Sequence, residues 1–196
     1  MVIRQPFMRV ATHHVVKSIS QRALLRHWRE IAHGDSLPAF AHFAPPSRAH
    51  DPRNLMFWGV EGDAGTRTFK TLHQGTYLIE SFGSNPPPQQ LLQAVVPPSL
   101  QQMTLAGLNA CADQRSPLYM IISTTDDLGN TIDCERLLLP FSAATGEVRQ
   151  IVASLELISV DGRFRRDTVL ARFAAEGKVT FAARIASDPT TAISVP

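Results

Sequence analysis

The chain has 196 residues, 44% of them hydrophobic and 18% charged, with a formal net charge of +2. This suits one globular domain plus extensions, able to bury a core without disulfides or metal. The near-neutral balance excludes a dedicated nucleic-acid binder, which needs clustered Lys and Arg in excess.

Residues 1–17 show no strong period and read as an N-terminal arm or an added strand. Arg4 and Arg9 stand where a secretory signal needs an apolar stretch, and no apolar run approaches a membrane span. From Ser18 or Ser20 the pattern turns helical. Leu24, Leu25, Trp28 and Ile31 recur at helical spacing, Ser20 is the expected N-cap, and Gly34 stands where the helix should stop. Residues 35–53 contain Pro38, Pro45, Pro46 and Pro52 and read as a loop.

Residues 55–60 are the first predicted strand, 61–65 a turn, and 66–72 its return strand. Residues 75–82 suit a short helix ended by Gly83, and a longer helix follows Pro97 and Pro98, with Leu100, Met103, Leu105, Leu108 and Ala112 near helical spacing. Then come strands at 118–122, 131–141 and 148–158, joined by turn sequences at 126–130 and 143–147, which is an antiparallel meander. In the last strand Ile151, Ala153, Leu155 and Leu157 alternate with Gln150, Ser154 and Glu156, predicting one buried and one wet face. The expected architecture over 18–158 is therefore α+β: a five-stranded antiparallel sheet covered on one face by helices, with an N-terminal helix. Residues 159–196 form a C-terminal extension. Arg163, Arg165, Arg166 and Arg172 mark a solvated basic helix, Val179, Phe181, Ala183 and Ile185 alternate like an extra strand, and the tail after Pro189 is expected to be disordered.

No catalytic template occurs: no nucleophile elbow, phosphate-binding glycine loop, zinc-protease helix or dinucleotide fingerprint. The cysteines, Cys111 and Cys134, have no Cys-x-x-Cys partner and read as buried thiols of a reducing, cytoplasmic compartment. The seven histidines lack metal-ligand spacing: His13 and His14 are adjacent, and His42 and His50 lie in a proline-rich loop. The chain is thus not expected to be an enzyme or a metal protein.

Leu24-Leu-Arg-His-Trp28, Phe69-Lys-Thr-Leu-His-Gln-Gly-Thr76, Glu80-Ser-Phe-Gly83 and Glu135-Arg-Leu-Leu-Leu-Pro-Phe-Ser142 resemble, in order and spacing, a bacterial family of short stand-alone PAS proteins. The resemblance covers roughly 20–158; the loop 35–54 and the residues after 158 depart from it. It implies a PAS-like sheet and a sensory or regulatory role in signal transduction through ligand-dependent or partner-dependent protein–protein interaction. The alternative is a pure interaction or dimerisation module with a filled core. Partners would be an unidentified regulatory protein and a small-molecule ligand, with a homodimer formed through the helix bearing Leu24, Trp28 and Ile31. No cofactor is required, and neither haem nor flavin is supported: His73 sits only at the edge of the cavity-lining helix, and Cys111 lacks the flavin-sensor context.

Candidate ligand contacts are Trp58, His73, Tyr77, Tyr119 and Arg136. Arg136 is the sharpest. If Ile132, Cys134 and Leu138 face inward, alternation places Arg136 with them, and a buried guanidinium requires an internal carboxylate or a bound anion. The competing reading is a bulge near Leu137 that releases Arg136 to solvent, and it is the preferred one.

Overall fold

The computed structural model describes residues 9–32, 37–44, 51–83, 85–125, 129–143, 146–160 and 177–186. The basic helix, the tail, Gly34 and parts of the predicted turns at 126–130 and 143–147 lie outside them.

The strands are β1 (Arg9–Ala11), β2 (Leu55–Glu61), β3 (Thr68–Gln74), β4 (Leu118–Thr125), β5 (Thr131–Ser142), β6 (Val148–Ser159) and β7 (Lys178–Ile185). They form one sheet in the order β1-β7-β4-β5-β6-β2-β3. The β1–β7 pair is parallel and every other pair antiparallel. The helices are α1 (Ile19–Ile31), α2 (Thr76–Phe82), α3 (Leu92–Val95) and α4 (Pro98–Gln114).

This corrects the expected PAS-like, five-stranded, one-sided sheet. Seven strands form a mixed sheet, and helical segments cover both faces. The physical reason lies in the two long central strands. In β6 Val152 and Ser154 are buried as fully as Ile151 and Ala153, so the face read as wet is covered. In β5 every residue from Cys134 to Phe141 is buried. One face packs Leu100, Leu108 and Cys111 of α4 and Leu78 of α2 against Met120, Cys134, Leu138 and Ala153. The other packs Leu24, Leu25 and Trp28 of α1 against Tyr119, Leu137, Leu139 and Val152. Ala183 and Ile185 of β7 join this second cluster, so the extension past residue 158 contributes to the same core.

Local chemistry explains the ends. Ser18 caps α1 by accepting the Gln21 backbone N–H at 3.4 Å. Ser20, the expected cap, instead donates to Glu156. Gly75 opens α2 where a side chain is impossible: an added Cβ would lie 2.3 Å from the Arg53 carbonyl oxygen. Gly83 ends α2 in the left-handed region at φ 68°.

The apolar stripe of α1 is satisfied inside the chain. Leu24 and Trp28 are 1% and 4% exposed, Ile31 is half-buried against the same cluster, and Trp28 Nε1 donates to the Pro140 carbonyl at 2.8 Å. The reason for assigning Leu24, Trp28 and Ile31 to a dimer interface, an uncovered stripe, is therefore absent. Trp28→Ala should lower stability by about 3–5 kcal/mol, as for deletion of a large buried aromatic. Urea denaturation checks this, and a loss below about 1 kcal/mol would mean that α1 does not hold the sheet.

Candidate functional site

Strand β5 places adjacent ionisable residues on opposite faces. Its register shift lies between Phe141 and Ser142, far from Leu137. Alternation therefore runs unbroken through the middle of the strand, and Arg136 shares the face of Cys134 and Leu138. The bulge reading is overturned: Arg136 is 4% exposed. Its cross-strand neighbours are Met120 and Leu155.

The guanidinium enters a cavity between the sheet and the helical layer. The sheet supplies Met56, Trp58, Met120, Leu138, Ala153 and Leu155. The helical side supplies Phe82, Val96, Thr104 and Leu108. The cavity is partly open to solvent and small, about 20 Å³, enough for about one water. Arg136 Nη1 donates to Thr104 Oγ1 at 2.6 Å, and Nε points at Cys134 Sγ at 3.5 Å. Thr104 in turn donates to the Leu100 carbonyl at 2.8 Å, one helical turn back. Among the described residues no Asp or Glu forms an ion pair with Arg136. The buried guanidinium thus faces apolar walls, with the Thr104 hydroxyl and the Cys134 sulfur as its partners among the described residues.

Of the five predicted contacts, Trp58 and Arg136 come together in this cavity. Tyr77 packs half-buried against the same cluster without lining the cavity. His73 is exposed on β3, its ring 5.0 Å from Phe57. Tyr119 is buried on the α1 face. Sequence reasoning missed Thr104, whose signal was a hydroxyl set among the apolar positions of α4. It also missed Met56 and Met120, which read simply as strand interior.

The opposite face holds a second polar group. Glu135 is fully buried, and neither of its carboxylate oxygens meets hydrogen-bond geometry with any described group. The Lys17 ammonium stands 4.0 Å away on a side chain that is 60% exposed. The Tyr119 hydroxyl sits beside the carboxylate without a well-aligned bond, and burial, with Glu135 adding to it, pushes the phenol above its usual range. Glu156 lies directly opposite Glu135 across the β5–β6 pair and accepts from Ser20 and Asn54. Gln21 bridges the two strands by donating to the Glu135 and Ser154 carbonyls. The first turn of α1, with its positive dipole end, therefore rests over two facing carboxylates. These contacts seat the helix on the sheet.

Burial pushes the Cys111 thiol well above its usual value, and it donates to the Ser116 carbonyl, so it is not a reactive thiolate. Among the described residues no group of three or more His, Cys, Asp or Glu side chains is placed to hold a metal ion. No helix among them is long and apolar enough to cross a membrane. No protein-family model matches the chain, and no curated protein or solved structure matches it significantly.

Glu135→Gln keeps the side-chain shape while removing a buried charge and its repulsion from Glu156. It should raise the thermal midpoint, as expected when a poorly paired buried charge is neutralised. A lowered midpoint by calorimetry would show that the carboxylate is more strongly paired than its 4.0 Å contact with Lys17 suggests.

Proposed function

We propose that the chain is a non-catalytic regulatory module of the cytoplasm that takes up a small anionic molecule on Arg136 and passes the state on by protein–protein contact. One observation carries this reading: a guanidinium 4% exposed, aimed into an apolar cavity, with no carboxylate among the described residues paired to it. Burying such a charge is costly, and a bound anion offsets that cost. The cavity offers little for catalysis. Its polar side-chain groups among the described residues are the Arg136 guanidinium, the Trp58 indole N–H and the Thr104 hydroxyl, whose proton is committed to Leu100. General acid–base work needs a group that titrates near neutrality.

Signalling would then be a shift of population. Phe82, Val96, Thr104 and Leu108 belong to the helical layer, so an anion between them and the sheet favours one packing of that layer over another. A partner would read the change on the outer face of α2 and α4.

A second reading, an interaction module with a filled core, is favoured by the small cavity volume of about 20 Å³. Native mass spectrometry of the purified chain separates the two. The expected result is a small retained adduct that disappears in Arg136→Met. A bare wild-type mass, with Arg136→Met unfolding at a higher temperature because an unpaired charge has been removed, would overturn ligand binding in favour of the filled core.

A further inference from the structure

We infer that the ligand of this cavity is a monocarboxylate on a compact hydrocarbon body, gripped by the free edge of a guanidinium that Thr104 positions; this rests on the ligand-binding reading above. Charge comes first. Arg136 is the one cation among the described lining residues. A monoanion therefore leaves a neutral buried pair, whereas a dianion would leave net negative charge against Trp58, Phe82 and Leu138.

Donor geometry selects the headgroup. A guanidinium has five N–H donors; one faces Cys134 Sγ and one is given to Thr104. One N–H of Nη1 and both of Nη2 remain. Parallel donors on Nη1 and Nη2 match the two oxygens of a planar carboxylate in a bidentate pair. The rest of the described lining is hydrocarbon, thioether or aromatic, which suits an apolar body; the Trp58 indole N–H is the further donor among these residues. With a cavity of about 20 Å³, the body seats by displacing the Met56 and Met120 side chains, whose unbranched arms repack readily.

Thr104 is a positioning residue. Its O–H is tied to the Leu100 carbonyl, so its lone pairs are turned to Arg136 Nη1, and the guanidinium is held from α4 as well as from its own strand. Ligand binding thereby becomes sensitive to where α4 sits.

The test is calorimetric titration of the full chain with sodium acetate, butyrate, hexanoate and octanoate, each beside its primary amide, and with inorganic phosphate. The acids should bind at least tenfold more tightly than their amides. Affinity should climb about fourfold per added methylene until the walls are full. Arg136→Lys, which keeps charge but loses the fork, should weaken binding at least tenfold, and Arg136→Met should abolish it while circular dichroism shows an intact fold. Thr104→Val should weaken it about tenfold, with Thr104→Ser restoring it to within about threefold, a rescue that a packing role alone would not produce. Acids and amides binding alike would overturn the carboxylate assignment. Phosphate binding that depends on Arg136, without carboxylate binding, would overturn the ligand class while leaving an anion site. No heat from any probe, with Arg136→Met more stable than wild type, would overturn both this inference and the reading it rests on.

Discussion

Strand β5 is buried on both faces from Cys134 to Phe141, and this constraint organises the rest. A strand without a solvated side must sit inside the sheet and beneath cover above and below. Its neighbours β4 and β6 provide the ladder. On one side α1 brings Leu24, Leu25 and Trp28, and on the other α4 brings Leu100, Leu108 and Cys111. The same constraint traps two charges. Alternation sends Glu135 under α1 and Arg136 under α4, and both side chains are buried.

The two charges are managed differently. Glu135 lies beneath a helix N-terminus, near Lys17 and Tyr119, at the seat of the element that covers it. Its environment concerns how α1 docks. Arg136 has the Thr104 hydroxyl and the Cys134 sulfur beside it, and beyond them a cavity walled mainly by apolar side chains. On this unequal treatment of adjacent residues rests the proposal of a ligand at the α4 face.

Much of the element order was legible because each element carries its own local signal. The strands near 55–60, 118–122 and 148–158 announced themselves by β-rich composition between turn residues, and α1 by its spacing of Leu24, Leu25, Trp28 and Ile31. What periodicity does not carry is which faces end up covered. Gln150, Ser154 and Glu156 made β6 look half-wet, yet Ser154 is buried because α1, distant in sequence, lies over it. The parallel β1–β7 pairing is a contact between distant segments with no local trace. Arg136 shows the same limit within the site. Because Leu137 and Leu139 are as apolar as Leu138, a strand covered on both sides loses its alternating signature, and sequence alone then favours a bulge as the home of an arginine. Tyr119 is grouped with Trp58 by residue type and His73 by its place at the edge of a cavity-lining helix, whereas the register of their strands turns them to the other face.

The edge pair β1–β7 has a mechanical consequence. Arg9 aligns with Ala183 and Ala11 with Ile185, in the same direction, and the Ala186 N–H donates to the Ala11 carbonyl at 3.0 Å. Tension applied to the chain upstream of β1 and downstream of β7 would slide these strands past one another and load their hydrogen bonds together, instead of opening them one at a time. The patch is short, yet it lies across the line of pull, so under traction it would have to rupture before force could reach the buried interior.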